Sequence, residues 1–318
     1  MKRNISLDIL KLAMALMVLG LHAGFLSDYS KSAEFLFVNG VFRIAVPIFF
    51  IINGYYFYSS LVNNTQVTWL KKITILYLVW MAFYAPIWFV IPYLKSEPIA
   101  NILITSIIGY HHLWYISGLV GAALLLMLLK NIHTLPMFGL IVLTFLIGVI
   151  IQYSGNYHIF KNSNIDEILN TTWIHRNFIF LSFPFFCTGF LINKHSLDNL
   201  YSNTHIIIGI IFGIILLIIE SFINLNASGS DDAFDNYLSL MFICPLIFIY
   251  FQKKYTEGKT KSIALYSSAI YFIHSFVLSS LRYITDFKGT AMTIVAIVIS
   301  VFISFYIIKL NRIIKIIL

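Results

Sequence analysis

The chain has 318 residues, 59% of them hydrophobic and only 11% charged, with a mean hydropathy of +0.87. Soluble globular proteins carry about 25% charged residues, so this composition excludes a water-solvated fold and describes an integral membrane protein. The formal charge of +8 does not point to nucleic acid, because the basic residues are scattered between apolar segments, where they orient a chain in a bilayer.

A membrane-spanning helix needs about 20 apolar residues. Ten candidates follow one another: Ser6–Leu26, Phe35–Leu61, Leu70–Tyr93, Leu113–Leu129, Leu135–Gln152, Phe178–Ile192, Ile206–Leu225, Tyr237–Phe251, Ser262–Tyr283 and Thr290–Ile308. The fourth, sixth and eighth are short or interrupted, and Ile99–Ile108 is a re-entrant or interfacial piece. With the N-terminus inside, thirteen Lys and Arg residues, Lys2 and Arg3 first, fall at cytoplasmic ends. Six, including Lys95 and Arg176, fall on the opposite side, together with Asp231, Asp232 and Asp235. The expectation is an all-α membrane protein of about ten helices with both termini inside. Residues 1–318 read as one membrane domain with no soluble catalytic module. The first apolar run is long and lacks a small-residue cleavage site, so it reads as a retained helix. Cys187 and Cys244 lie in apolar runs without metal-type spacing and read as small buried hydrophobes, leaving no metal site.

Ionisable groups inside spans cost at least ~2.5–3.5 kcal/mol on insertion scales, and they come in chain order as Asp8, Lys11, His22, Arg43, Glu220 and His274. Lys11 and His22 are nearly three whole turns apart, on one helix face, with ~16 Å between them. Asp8 lies one turn before Lys11 and can pair with it. The plain alternative is that Lys11 snorkels to headgroups while His22 bonds a neighbour. Arg43 cannot lose its proton and must face a partner or a wet cavity. Pro47 can kink the second span, and Gly54 permits close helix approach. In Tyr110–Gly118, adjacent His111 and His112 would point about 100° apart on a helix, a poor metal pair. Taken alone, Trp114 and Tyr115 read as an aromatic belt before they read as a stacking platform for a sugar. Glu220 has no basic neighbour on its own helix, so its partner must come from another span. His274 is either a packing or a catalytic residue.

Five motifs in order carry a resemblance. They are Leu7-Asp8 with Lys11 and, after ten intervening residues, His22; Arg43 before Val46-Pro47-Ile48-Phe49-Phe50 and Asn53-Gly54-Tyr55; His112–Ile116; Arg176–Ile192; and Ile270–His274. The chain resembles acyltransferase family 3, bacterial membrane proteins that acylate sugars of surface polysaccharides and related acceptors. Two positions depart from its pattern, Lys11 for an arginine and Asn53 for a serine.

The resemblance implies transfer of an acyl group, acetyl above all, from cytoplasmic acyl-CoA to a hydroxyl of a surface polysaccharide or its lipid-linked precursor, in a bacterial inner membrane. Acetyl-CoA would be a co-substrate, with no bound cofactor. Such chemistry needs a base near the hydroxyl and a cation or donor near the oxyanion. His22 is then the candidate base, Arg43 the stabilising cation and Glu220 the group orienting His22. Lys11, Lys71 and Lys72 suit the phosphates of coenzyme A. His112, Trp114, Arg176 and His274 are candidate acceptor ligands, with His274 alternatively a relay. Two other readings stay open: an exporter of a lipid-linked saccharide, and the membrane half of a system whose partner does the chemistry.

Overall fold

The computed structural model describes residues 3–89, 99–227 and 233–318. Lys2, Lys95, Asp231, Asp232 and the end of the third expected span at Tyr93 lie outside the described residues.

The described chain is almost wholly helical. In order it forms β1 (Arg3–Asn4), α1 (Ile5–Ala23), α2 (Lys31–Val38), α3 (Ala45–Val62), α4 (Gln66–Trp88), α5 (Ile99–Ile108), α6 (Trp114–Leu129) and α7 (Thr134–Asn156). There follow α8 (Asn164–Leu169), α9 (Thr172–His175), α10 (Phe183–Lys194), α11 (Asn203–Asn226), α12 (Leu240–Lys253), β2 (Glu257–Gly258), α13 (Ser262–Ile284) and α14 (Gly289–Ile313).

Among the described residues, eight helices are long and apolar enough to cross a membrane. The sixth and eighth expected spans are the shorter apolar helices Phe178–Lys194 and Leu240–Lys253. The first of these begins as a π-helical turn, Phe178–Ser182, before α10, and the second carries Pro245 inside α12. Together with these two shorter helices, the eight long ones match the ten expected apolar segments in order.

The second span is also built differently from its sequence. It breaks at Asn39 and Gly40, passes through a 3-10 turn at Val41–Ile44, and restarts as α3. Pro47 therefore sits in the first turn of α3, where its missing N–H has no helical partner to lose. The bend lies upstream of Pro47 rather than at it.

Local chemistry sets the ends of α1. Asn4 caps it by accepting from the Ser6 N–H at 3.0 Å, and Gly24 closes it in the left-handed region at φ 71°. Arg3 and Asn4 pair antiparallel with Gly258 and Glu257. This pins the start of α1 to the segment before α13.

The tightest helix crossing is α3 on α10. A Cβ at Gly54 would lie 1.8 Å from the Phe186 carbonyl oxygen, and one at Gly189 2.0 Å from that of Ile51. The expected close approach at Gly54 is present, and Gly189 reciprocates it. α1 packs in the interior against α3, α13 and α14, which places Lys11 and His22 inside the bundle. The face carrying Lys11, β1–β2 and the C-terminal end of α14 is called the basic face below.

Candidate active site

His22 occupies the last turn of α1, away from the basic face. Its ring lies 4.5 Å from that of His111 and 5.4 Å from that of His274, centroid to centroid. His274 in turn lies 4.7 Å from His112. Four imidazoles thus form one cluster. A regular helix would splay His111 and His112 apart, but His111 adopts φ 47° in a 3-10 turn ahead of α6, and both rings reach the cluster.

The frame around the rings is hydrogen-bonded. Tyr271 donates to the His112 carbonyl at 2.6 Å, and Tyr84 donates to the Phe272 carbonyl at 2.7 Å. His274 Nδ1 lies 2.6 Å from the Tyr271 carbonyl. A carbonyl only accepts, so Nδ1 carries a proton, and in the neutral ring Nε2 is the free acceptor. That Nε2 is buried with no hydrogen-bond partner.

On the side away from the basic face, His22 lines a cavity of about 50 Å³ together with Arg43, Trp114, Arg176 and Asp235. Arg43 is buried and pairs with Asp235, while its Nε donates to the Val38 carbonyl at 3.1 Å. Arg176 reaches the other Asp235 oxygen at 3.4 Å and lies over the Trp114 ring at 5.0 Å. One carboxylate therefore fixes two guanidinium groups. Burial alone would raise the Asp235 pKa, but Arg176 and Arg43 outweigh it and hold the carboxylate below its usual range. Gln152 secures the loop by accepting from the Asp235 and Asn236 N–H groups at 2.8 and 3.0 Å.

On the basic face, Lys11 borders two spaces at once. One is a cavity of about 720 Å³ whose basic lining includes Arg3, Lys259 and Lys261. The other, of about 180 Å³, leads inward past Asn53 to Tyr115 and Tyr271. Asn53 donates to the Tyr115 hydroxyl at 2.8 Å and to the Phe49 carbonyl at 2.9 Å. Tyr271 lies between the inner space and the histidines, its ring 5.9 Å from that of His274.

The structure thus brings together His22, Arg43, His112, Trp114, Arg176 and His274, and sets Lys11 apart at the other end of α1. Three expectations change. Asp8 is taken by Arg3, with one contact at 2.8 Å, so it is not the ion-pair partner of Lys11. Lys71 and Lys72 are exposed on α4 and absent from the Lys11 cavity, whose further cations are Arg3, Lys259 and Lys261. Glu220 does not reach His22. Its carboxylate accepts from Tyr153 at 2.6 Å, from the Leu238 and Ser239 N–H groups at 2.7 and 2.9 Å, and from the Ser239 hydroxyl at 2.6 Å. It stitches α7 and α11 to the start of α12.

Sequence reasoning also missed His111 and Asp235. For His111 the signal was its place beside His112. Asp235 carried no local signal, because its partners come from distant segments. Among the described residues, no group of three or more His, Cys, Asp or Glu is arranged to hold a metal ion.

The sequence model described as an acyltransferase domain, family 3, matches residues 4–309. The chain belongs to the acyltransferase 3 family. This family membership and the apolar helices together mark a multi-pass membrane protein of an acyltransferase family. Curated relatives carry other names. An amino-acid racemase of Enterococcus faecalis is 28% identical over 196 residues, covering 58% of this chain and 27% of the relative. A serine/alanine racemase of Enterococcus gallinarum is 24% identical over 312 residues, covering 89% and 42%. The chain spans less than half the length of these relatives. No solved structure matches it.

Proposed function

We propose that the protein moves an acyl group, acetyl above all, from acyl-CoA on the basic, cytoplasmic face to a hydroxyl of a carbohydrate acceptor at the opposite face. The carbohydrate is a surface polysaccharide or its lipid-linked precursor, and the site is the inner membrane of a bacterium. The carrying observation is the pair of spaces converging on one histidine cluster: a basic cavity leading inward past Lys11, and a cavity holding His22, Arg43 and Arg176 beyond the rings.

In this reading Arg3, Lys11, Lys259 and Lys261 hold the phosphates of the donor. The pantetheine arm threads the space beside Asn53, and the thioester meets the cluster near Tyr115 and Tyr271. His22 takes the proton of the attacking hydroxyl as the new ester bond forms. The tetrahedral oxyanion that results is stabilised by Arg43 or a neighbouring donor. Collapse expels the coenzyme thiolate, which regains a proton through the imidazoles. Nothing here needs a metal or a bound cofactor. Release of free thiol from acetyl-CoA by the purified protein, dependent on a saccharide acceptor and lost in His22→Ala, tests the reading. Equal thiol release by both proteins would overturn it.

The names of the relatives favour a second reading, in which this unit serves an amino-acid enzyme held elsewhere. More than half of each named racemase lies outside the match. Saccharide acylation by the purified chain alone would decide against it.

A further inference from the structure

A cavity of about 740 Å³ opens sideways along α4, α5 and α6, separate from the three spaces described above. It shares Trp114 and Arg176 with the His22 cavity. The described α5, Ile99–Ile108, is about 15 Å long and lines one part of the groove, with α4 and α6 lining the rest. Leu78, Leu124 and Leu128 along it are 57%, 45% and 82% exposed. From Trp114 to Leu128 the groove follows α6 for about 21 Å, much of the depth of a ~30 Å hydrocarbon core.

The hydroxyls of Tyr77, Ser106 and Ser117 on its walls are already satisfied within the protein. Tyr77 donates to the Ser106 carbonyl and the Ser106 hydroxyl to the Ile102 carbonyl, both at 2.7 Å, and the Ser117 hydroxyl bonds the Ile108 carbonyl. An occupant need offer no hydrogen bonds along this length, which is the chemistry of a hydrocarbon chain. The end at Arg176 differs. The Arg176 side chain is 30% exposed and meets Asp235 through a single 3.4 Å contact, leaving N–H groups for an anion such as a phosphate. Beyond it lies the His22 cavity. An amphiphile filling the whole path has a long chain, then an anionic link, then a polar group.

We propose that the groove seats the hydrocarbon chain of a lipid-linked saccharide, with its phosphate at Arg176 and a hydroxyl of its sugar presented at the mouth of the His22 cavity. The acceptor then enters laterally from the bilayer. The proposal rests on the acyl-transfer reading of that cavity and narrows its acceptor to the lipid-linked class. A membrane phospholipid has the chain and the phosphate but no saccharide to extend past Trp114.

The test is photolabelling of the purified full chain, in nanodiscs of phosphatidylethanolamine and phosphatidylglycerol, with a diazirine-bearing polyprenyl phosphate. Labelled residues are read by mass spectrometry. Saturable labelling of α6 between Leu124 and Leu128 is expected, competed at least tenfold better by unlabelled polyprenyl phosphate than by extra phosphatidylglycerol. Leu124→Trp with Leu128→Trp, both lipid-facing positions, is expected to cut labelling at least fivefold, and Arg176→Ala to weaken it similarly. Labelling that does not saturate, that yields equally to phosphatidylglycerol, or that ignores the tryptophans overturns the proposal, the groove then holding bulk lipid. Labelling needs no turnover, so the two readings fail separately. Normal acyl transfer to a water-soluble saccharide with no specific labelling rejects the groove alone. Specific labelling with no transfer in any assay rejects the acyl-transfer reading.

Discussion

His22 and His111 face each other at 4.5 Å between ring centroids, though one closes α1 and the other precedes α6. Their meeting couples the ends of two helices, and it gives the cavity beside Arg43 an imidazole backed by three more.

If His22 is the base, His22→Ala lowers acyl transfer by ~10²–10⁴-fold, the usual loss for a general base. Expression and insertion stay normal. His111→Ala has a smaller effect, because His111 meets the reacting groups only through His22. Turnover of His22→Ala within threefold of the parent, measured as thiol release, would remove His22 from the chemistry.

The donor-side cations separate two predictions cleanly. Lys259→Ala with Lys261→Ala raises the KM for acyl-CoA, and Lys11→Ala does the same, while Lys11→Arg keeps most activity because charge and reach persist. Lys71→Ala with Lys72→Ala leaves that KM within twofold, since neither lysine borders the cavity. Donor titration reads all four, and a reversed pattern would return the phosphate site to α4.

Glu220→Gln tests a structural role. It weakens the stitch to the Ser239 and Leu238 N–H groups and costs about 1–3 kcal/mol in stability. The catalytic rate at a permissive temperature stays near that of the parent. Loss of rate without loss of thermal stability would place Glu220 back in the chemistry.

Asp235 makes stability depend on pH with a definite sign. Its folded pKa is lowered, chiefly by Arg176 and Arg43 acting against burial. The carboxylate therefore stabilises the fold above the unfolded carboxylate range, about pH 4, and this contribution is lost as pH falls through the lowered folded value. Thermal unfolding in detergent should show a gap between parent and Asp235→Asn that is full at pH 7 and shrinks on acidification below about pH 4. A gap constant from pH 7 to pH 3 would contradict the ion-pair assignment.

The parts of the site legible in sequence were those written along one helix. The Lys11 and His22 spacing follows from helical geometry alone, and Gly54 announced its crossing because a bare backbone inside an apolar span has few other uses. What stayed hidden depends on chain reversals. Asp235 gains its meaning from Arg43 and Arg176, which no local pattern connects to it. His111 joins the cluster only through a positive φ that a helical reading forbids. That Lys71 and Lys72 fall outside the Lys11 cavity was not legible, because a basic pair at a helix start looks the same whether it faces a cavity or the water.

The wall between the Lys11 side and the Arg43 side has an electrical consequence. Tyr115, Tyr271, His112 and His274 are 6%, 5%, 2% and 0% exposed, so packed rings rather than solvent fill the space where the two chambers come closest. A membrane thinned to the span between Lys11 and His22, about 16 Å, would leak protons if that space were wet. With the rings in place no continuous water path joins the two openings there, so ions are kept from crossing and any proton that passes must be handed from ring to ring.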